Sequence, residues 1–209
     1  MKSSPNNRLN AIITALREAH EEAQRCSDSS LHRMPEYFMA TRVADYFATH
    51  FINFGYRLEA QVKRTFENAD LWHQDVELLL NDPEVRSNGR FDLVLRTGKQ
   101  GRPAHILEFK RGSKVEPLLK DVRRLAKICE HAGSHRLKTN YLVFTRRCAL
   151  EGSVESLDEH PFHAALSGFD GVSCQLYCSE PMQPLLDRNY NVVEGGAFDI
   201  VVVEIKAAE

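Results

Sequence analysis

The sequence predicts an α/β (α+β) domain built on a mixed sheet, and three observations carry that prediction. Two amphipathic helical stripes come first, the apolar period then switches to two near residue 56, and later strand-like runs flank a long helical stripe. At 209 residues, with 43% apolar and 27% charged side chains, the chain has the size and composition of one domain with a real core. We expect an N-terminal helical arm over residues 1–30, a core over 31–150 and an α/β extension of the same domain over 151–209. Collagen-like, disulfide-miniprotein and wholly disordered chains are excluded, because apolar residues are common while Gly, Pro and Cys number only 11, 8 and 5.

Leu9, Ile12, Ile13, Leu16, Ala19 and Ala23 recur at helical spacing, which predicts a helix over about 7–26 with Asn6 or Asn7 as its cap. A second helix starts at Pro35, carries Ala40, Val43, Ala44, Phe47 and Phe51 on one stripe, and stops at Gly55. Tyr56, Leu58, Ala60 and Val62 then alternate with polar residues, the pattern of a half-buried strand. A short helix over about 67–80 follows. Residues 91–96 and 104–111 read as strands, and the Gly- and Pro-containing linker between them predicts a hairpin. Leu118, Val122, Leu125 and Cys129 form the next helical stripe, with Lys120, Arg123, Arg124 and Lys127 expected on its opposite face. A strand at 141–145, a weaker helix at 160–167 and strands at 172–178 and 197–206 complete the order.

The formal net charge of −2 conceals a division. Residues 110–147 hold eleven Lys and Arg against three acids, whereas from 148 onward two cations face eleven acids. A basic middle points to a local anionic partner, and an acidic end suits a basic protein partner or shields the site until displaced. Five cysteines and a polar start without a signal segment suggest a reducing, cytoplasmic setting. No run approaches the roughly 18 apolar residues of a spanning helix, so a soluble protein with no membrane partner is expected.

The chemistry-bearing residues lie on the central hairpin. Glu108 and Lys110, two apart on one strand, share a face, and a hairpin folding symmetrically about Gln100 sets Asp92 directly opposite Glu108. Facing carboxylates repel unless a positive group lies between them, and a hard divalent cation such as Mg²⁺ removes the problem. Phe91, Leu93 and Leu95 are expected to bury the reverse face. Read blandly, the pattern is a surface Glu-x-Lys pair, and the chain holds a second copy at Glu204 and Lys206. There Asp199 is too close in sequence for two strands and a turn.

Asp92, followed after fifteen residues by Glu108-Phe109-Lys110 within a helix, strand, hairpin, helix and strand, resembles the PD-(D/E)xK nuclease superfamily over about residues 33–147. Phe91 stands where the name of that pattern expects proline. The resemblance implies a restriction-endonuclease-like αβββαβ core and hydrolysis of phosphodiesters, with Asp92, Glu108 and the Phe109 carbonyl holding Mg²⁺, for which Mn²⁺ substitutes. Lys110 then positions or activates the attacking water, and Glu36 matches an acid that the family often adds from its first core helix. Glu36 also has a simpler reading as a favourable charge in a first helical turn.

Nucleic acid, DNA rather than RNA, is the expected partner, with Lys114, Lys120, Arg123, Arg124 and Arg111 as phosphate contacts. A homodimer would supply the two sites that cutting both strands requires. The rival expectation is a nuclease-like module without turnover that binds nucleic acid or a protein. Other signals are weaker: Cys129, His131 and His135 lack a fourth zinc ligand, Cys174 and Cys178 read as core thiols, and neither a P-loop nor a nucleophile elbow is present.

Overall fold

A computed structural model describes residues 4–132, 136–149 and 158–208. Helix α1 (Pro5–Ser27) begins earlier than its apolar stripe. Extended Ser4 caps it by accepting the Asn7 N–H at 3.2 Å, and Pro5 sits in the first turn, where a missing N–H removes no helical bond. Ser4 therefore replaces Asn6 or Asn7 as the cap. After a 3-10 turn (Leu31–Arg33), α2 (Glu36–His50) buries Met39, Ala40, Val43, Ala44 and Phe47.

Strand β1 (Phe54–Gln61) leads into two helices, α3 (Val62–Glu67) and α4 (His73–Asn81), where the sequence predicts more strand and then one helix. Val62, Thr65 and Phe66 are all buried at helical spacing, so a helical stripe overlaps the last positions of the strand alternation. The hairpin forms as expected from β2 (Arg90–Thr97) and β3 (Pro103–Lys110). Its turn demands Gly101, because a Cβ there would collide with the Thr97 carbonyl oxygen. Helix α5 (Val115–Ala132), β4 (Thr139–Ala149), α6 (His160–Ala165), β5 (Val172–Cys178) and β6 (Gly196–Ala207) follow.

The sheet is six-stranded in the order β1-β2-β3-β4-β6-β5, with β3 and β4 parallel and every other neighbour antiparallel. Helices α1 and α2 cover one face with Leu16, Phe47, Leu93, Leu107, Phe109 and Val143. The other core joins Phe66, Leu79, Leu125, Phe144 and Phe162 from α3 to α6 and β4. The last strand is inserted between β4 and β5 and is buried on both faces, which accounts for its unbroken apolar run at 200–203. Buried Asn140 extends the β3–β4 ladder with its side chain: Oδ1 accepts from Ile106 N–H at 2.8 Å and Nδ2 donates to the Leu137 carbonyl at 2.7 Å. No described helix is long and apolar enough to cross a membrane.

Candidate active site

The site arises where the hairpin opens. Strands β2 and β3 keep the symmetric register from Leu95↔His105 to Leu93↔Leu107, their last ladder pair. Asp92 and Glu108 come next. The strands part there, and the Phe109 N–H that the ladder leaves over donates to Asp92 Oδ2 at 2.7 Å. Phe91 corrects the expected alternation, since it packs with Val94 and the α5-side core rather than with Leu93 and Leu95. On the neighbouring strand Glu59 has φ 48°, and this break in the pleat sends Ala60 and its partner Phe91 to the same side.

Glu108 is 3% exposed, and its Oε1 accepts from Arg124 Nη1 of α5. Burial pushes the Glu108 carboxyl up to about 8; Arg124 pulls it down, while Asp92 and Asp121 add to the rise. Arg124 corrects another expectation. It is 2% exposed rather than on the solvated face, with its Nε donating to the Val85 carbonyl at 3.0 Å and its guanidinium 4.4 Å over the Phe91 ring.

Lys110 donates to the Phe109 carbonyl at 2.9 Å, lies 3.1 Å from Asp121 Oδ2 and stands 4.0 Å from Glu36 Oε2. Burial works against its ammonium, but Asp121, Asp92 and Glu108 outweigh burial and raise its pKa above that of an ordinary lysine. Asp121, itself 2% exposed, joins Lys110 to Arg86. Neither Asp121 nor Arg86 was singled out from sequence. A signal was present, because Asp121 lies three after Leu118 and four before Leu125, and an acid on an apolar stripe is out of place.

Glu36 is partly exposed at the start of α2, where its Oε1 accepts the Arg111 N–H at 2.9 Å and ties the helix to the end of β3. Arg111 donates through Nη1 to the Arg33 carbonyl, and exposed Lys114 lines a basic hollow beside it. Lys120 pairs with Glu116 at 2.8 Å and Arg123 stands 3.8 Å from Glu84, both beside the 83–86 loop and away from that hollow. Of the five expected phosphate contacts, Arg124 is buried against Glu108 and out of reach of a phosphate, and the other four divide into two groups. Cys129 is a core thiol donating to the Ile205 carbonyl at 3.4 Å, Cys174 is a buried free thiol, Cys178 is free but exposed rather than in the core, and His135 lies outside the described residues.

Among the described residues, no three or more His, Cys, Asp or Glu side chains form a group that could hold a metal ion. Asp92, Glu108 and the Phe109 carbonyl suit a hard divalent cation in kind, because all three donate oxygen. Their present partners are the Phe109 N–H, Arg124 and Lys110, so an ion here would compete with Arg124 for Glu108 and with Lys110 for the carbonyl. Compared with protein-family models, curated proteins and solved structures, the chain matches none.

Proposed function

We propose that this chain is a metal-dependent nuclease on a restriction-endonuclease-like core, hydrolysing phosphodiester bonds of nucleic acid, DNA in preference to RNA. One observation carries the reading: the β2–β3 ladder ends at Leu93↔Leu107, Asp92 and Glu108 are the next positions on the two strands, and the charge of each acts on the Lys110 ammonium. Keeping a carboxylate buried is costly, and such an expense is typical of functional sites. The order α2, β1, β2, β3, α5, β4, interrupted by α3 and α4, supports the αβββαβ assignment. Asp92, Glu108 and the Phe109 carbonyl would hold Mg²⁺ or Mn²⁺, which when bound supplies positive charge to the attacked phosphate and the departing oxygen. Lys110 orients the incoming water through its ammonium and stabilises charge that develops on the phosphate. Glu36 holds the end of β3 in place and contributes a further acid near Lys110.

A second reading has its own support. The Arg124 guanidinium already satisfies Glu108, an arrangement suited to a catalytically silent module that binds nucleic acid or a protein. The described free cysteines agree with a cytoplasmic location, and a homodimer would place two sites on a duplex. Incubation with supercoiled plasmid in Mg²⁺ or Mn²⁺ separates the readings. Nicking or linearisation is expected, reduced at least about 100-fold in Asp92→Ala and Lys110→Ala. Activity unchanged in both variants would remove the assignment, and retention of the plasmid without cleavage would favour the silent module.

A further inference from the structure

The basic hollow beside the site is lined by His32 and Arg33 of the 3-10 turn, Arg111 and Lys114 after β3, Arg147 of β4, and Arg188. Its volume is about 450 Å³. Arg146 and Thr145 complete the wall, and Arg146 is paired with Asp199. Among the described residues, Arg33, Arg111, Lys114, Arg147 and Arg188 form no ion pair with a carboxylate, and the Arg33 Nε is buried with no hydrogen-bond partner. The wall is built rather than accidental. Gly112 turns the chain at φ 88° and its N–H donates to Thr145 Oγ1 at 3.3 Å, which fixes the segment carrying Arg111 and Lys114. On the far side, His32 Nε2 lies 3.0 Å from the Leu186 carbonyl, and Arg33 donates to the Arg188 carbonyl while its guanidinium stacks 5.0 Å over Tyr190.

Among the described residues these five cations form no close ion pair, Asp187 offsets only Arg33, and their mutual repulsion around one concavity is relieved by an anion seated among them. An internal phosphodiester brings a single negative charge. A terminal phosphate monoester brings about −1.5 to −2 at pH 7 and three acceptor oxygens, which match several guanidinium forks better. We propose that this hollow holds the terminal phosphate of a nucleic-acid strand whose chain continues toward Lys110, one residue before Arg111. The strand as occupant rests on the nuclease reading, whereas the affinity for a phosphate monoester does not.

Fluorescence anisotropy in EDTA, using one short oligonucleotide with a 5′-phosphate, a 3′-phosphate or hydroxyl ends, tests the proposal on the full chain. One phosphorylated form is expected to bind at least tenfold tighter than the hydroxyl form, with inorganic phosphate competing. The preference should vanish in Arg147→Gln/Arg188→Gln, both exposed positions, with the circular dichroism spectrum unchanged. Equal affinity for all three ends, a preference that survives the double substitution, or a failure of every oligonucleotide to bind although inorganic phosphate binds, each overturns it. Cleavage in Mg²⁺ of a closed circular plasmid or of hydroxyl-ended linear DNA tests the nuclease reading alone. Cleavage without end preference leaves that reading standing and ends this proposal, and end preference without cleavage of either DNA ends that reading and leaves only the affinity for a phosphate monoester.

Discussion

Glu108 and Arg124 form a buried pair whose members differ in one respect: the carboxyl can take up a proton, and the guanidinium does not lose one. Glu108→Ala leaves a charge inside without its acceptor and should cost about 3–5 kcal/mol in urea denaturation. Arg124→Met leaves a carboxyl that stays protonated, so below about pH 8 its cost should be smaller, about 1–3 kcal/mol. The sign with pH follows from burial. In the variant the Glu108 pKa rises further, because Arg124 no longer opposes desolvation, Asp92 and Asp121. Above about 8 the wild-type carboxyl is ionised, while the folded variant keeps a proton that its unfolded chain has released, so the variant continues to lose stability as pH rises. A cost for Arg124→Met that shrinks from pH 8 to 9 would contradict this. The positions of Asp92, Glu108 and Lys110 at the end of the hairpin were legible in the sequence because strand alternation and a symmetric turn set the register that leads up to them. Arg124 and Asp121 could not be found by the rule that charges face water, since each lies buried against an opposite charge.

At the scale of elements, the hairpin and the long helix were legible because their patterns are unambiguous: Gly and Pro between two apolar runs, and a stripe from Leu118 to Cys129. Residues 62–81 were not, since Val62 satisfies both the strand period before it and the helical period after it. The parallel β3–β4 pairing leaves a further dependence that no local pattern displays. Asn140 closes this ladder with its side chain, so Asn140→Ala strands the Ile106 N–H and the Leu137 carbonyl in the core. The expected loss is about 2–4 kcal/mol, read from the urea midpoint at unchanged slope. A loss under about 0.5 kcal/mol would mean that those groups find other partners.

Across the whole molecule, charge counted along the chain maps poorly onto the surface. The acidic C-terminal stretch supplies Asp199 to the buried pair with Arg146, and Glu204 lies buried with its Oε1 3.4 Å from the Tyr141 hydroxyl. Part of the expected acidic face is therefore internal, because β6 enters the sheet between β4 and β5, an order that neighbours in sequence do not reveal. The hollow around Arg33, Arg111 and Arg188 gathers cations that lie far apart in the chain. Nucleic-acid binding through its five cations should weaken with salt at a slope of about −3.5 for a single strand, measured by anisotropy at several ionic strengths. A slope near zero would exclude phosphate contacts there. The central claim, that Asp92 and Glu108 share one divalent cation, is tested most directly by calorimetric titration of Mn²⁺ into the wild-type chain and Asp92→Asn. The account requires a one-site heat in the wild type that is lost in the variant; equal heats in both proteins, or none in either, would contradict it.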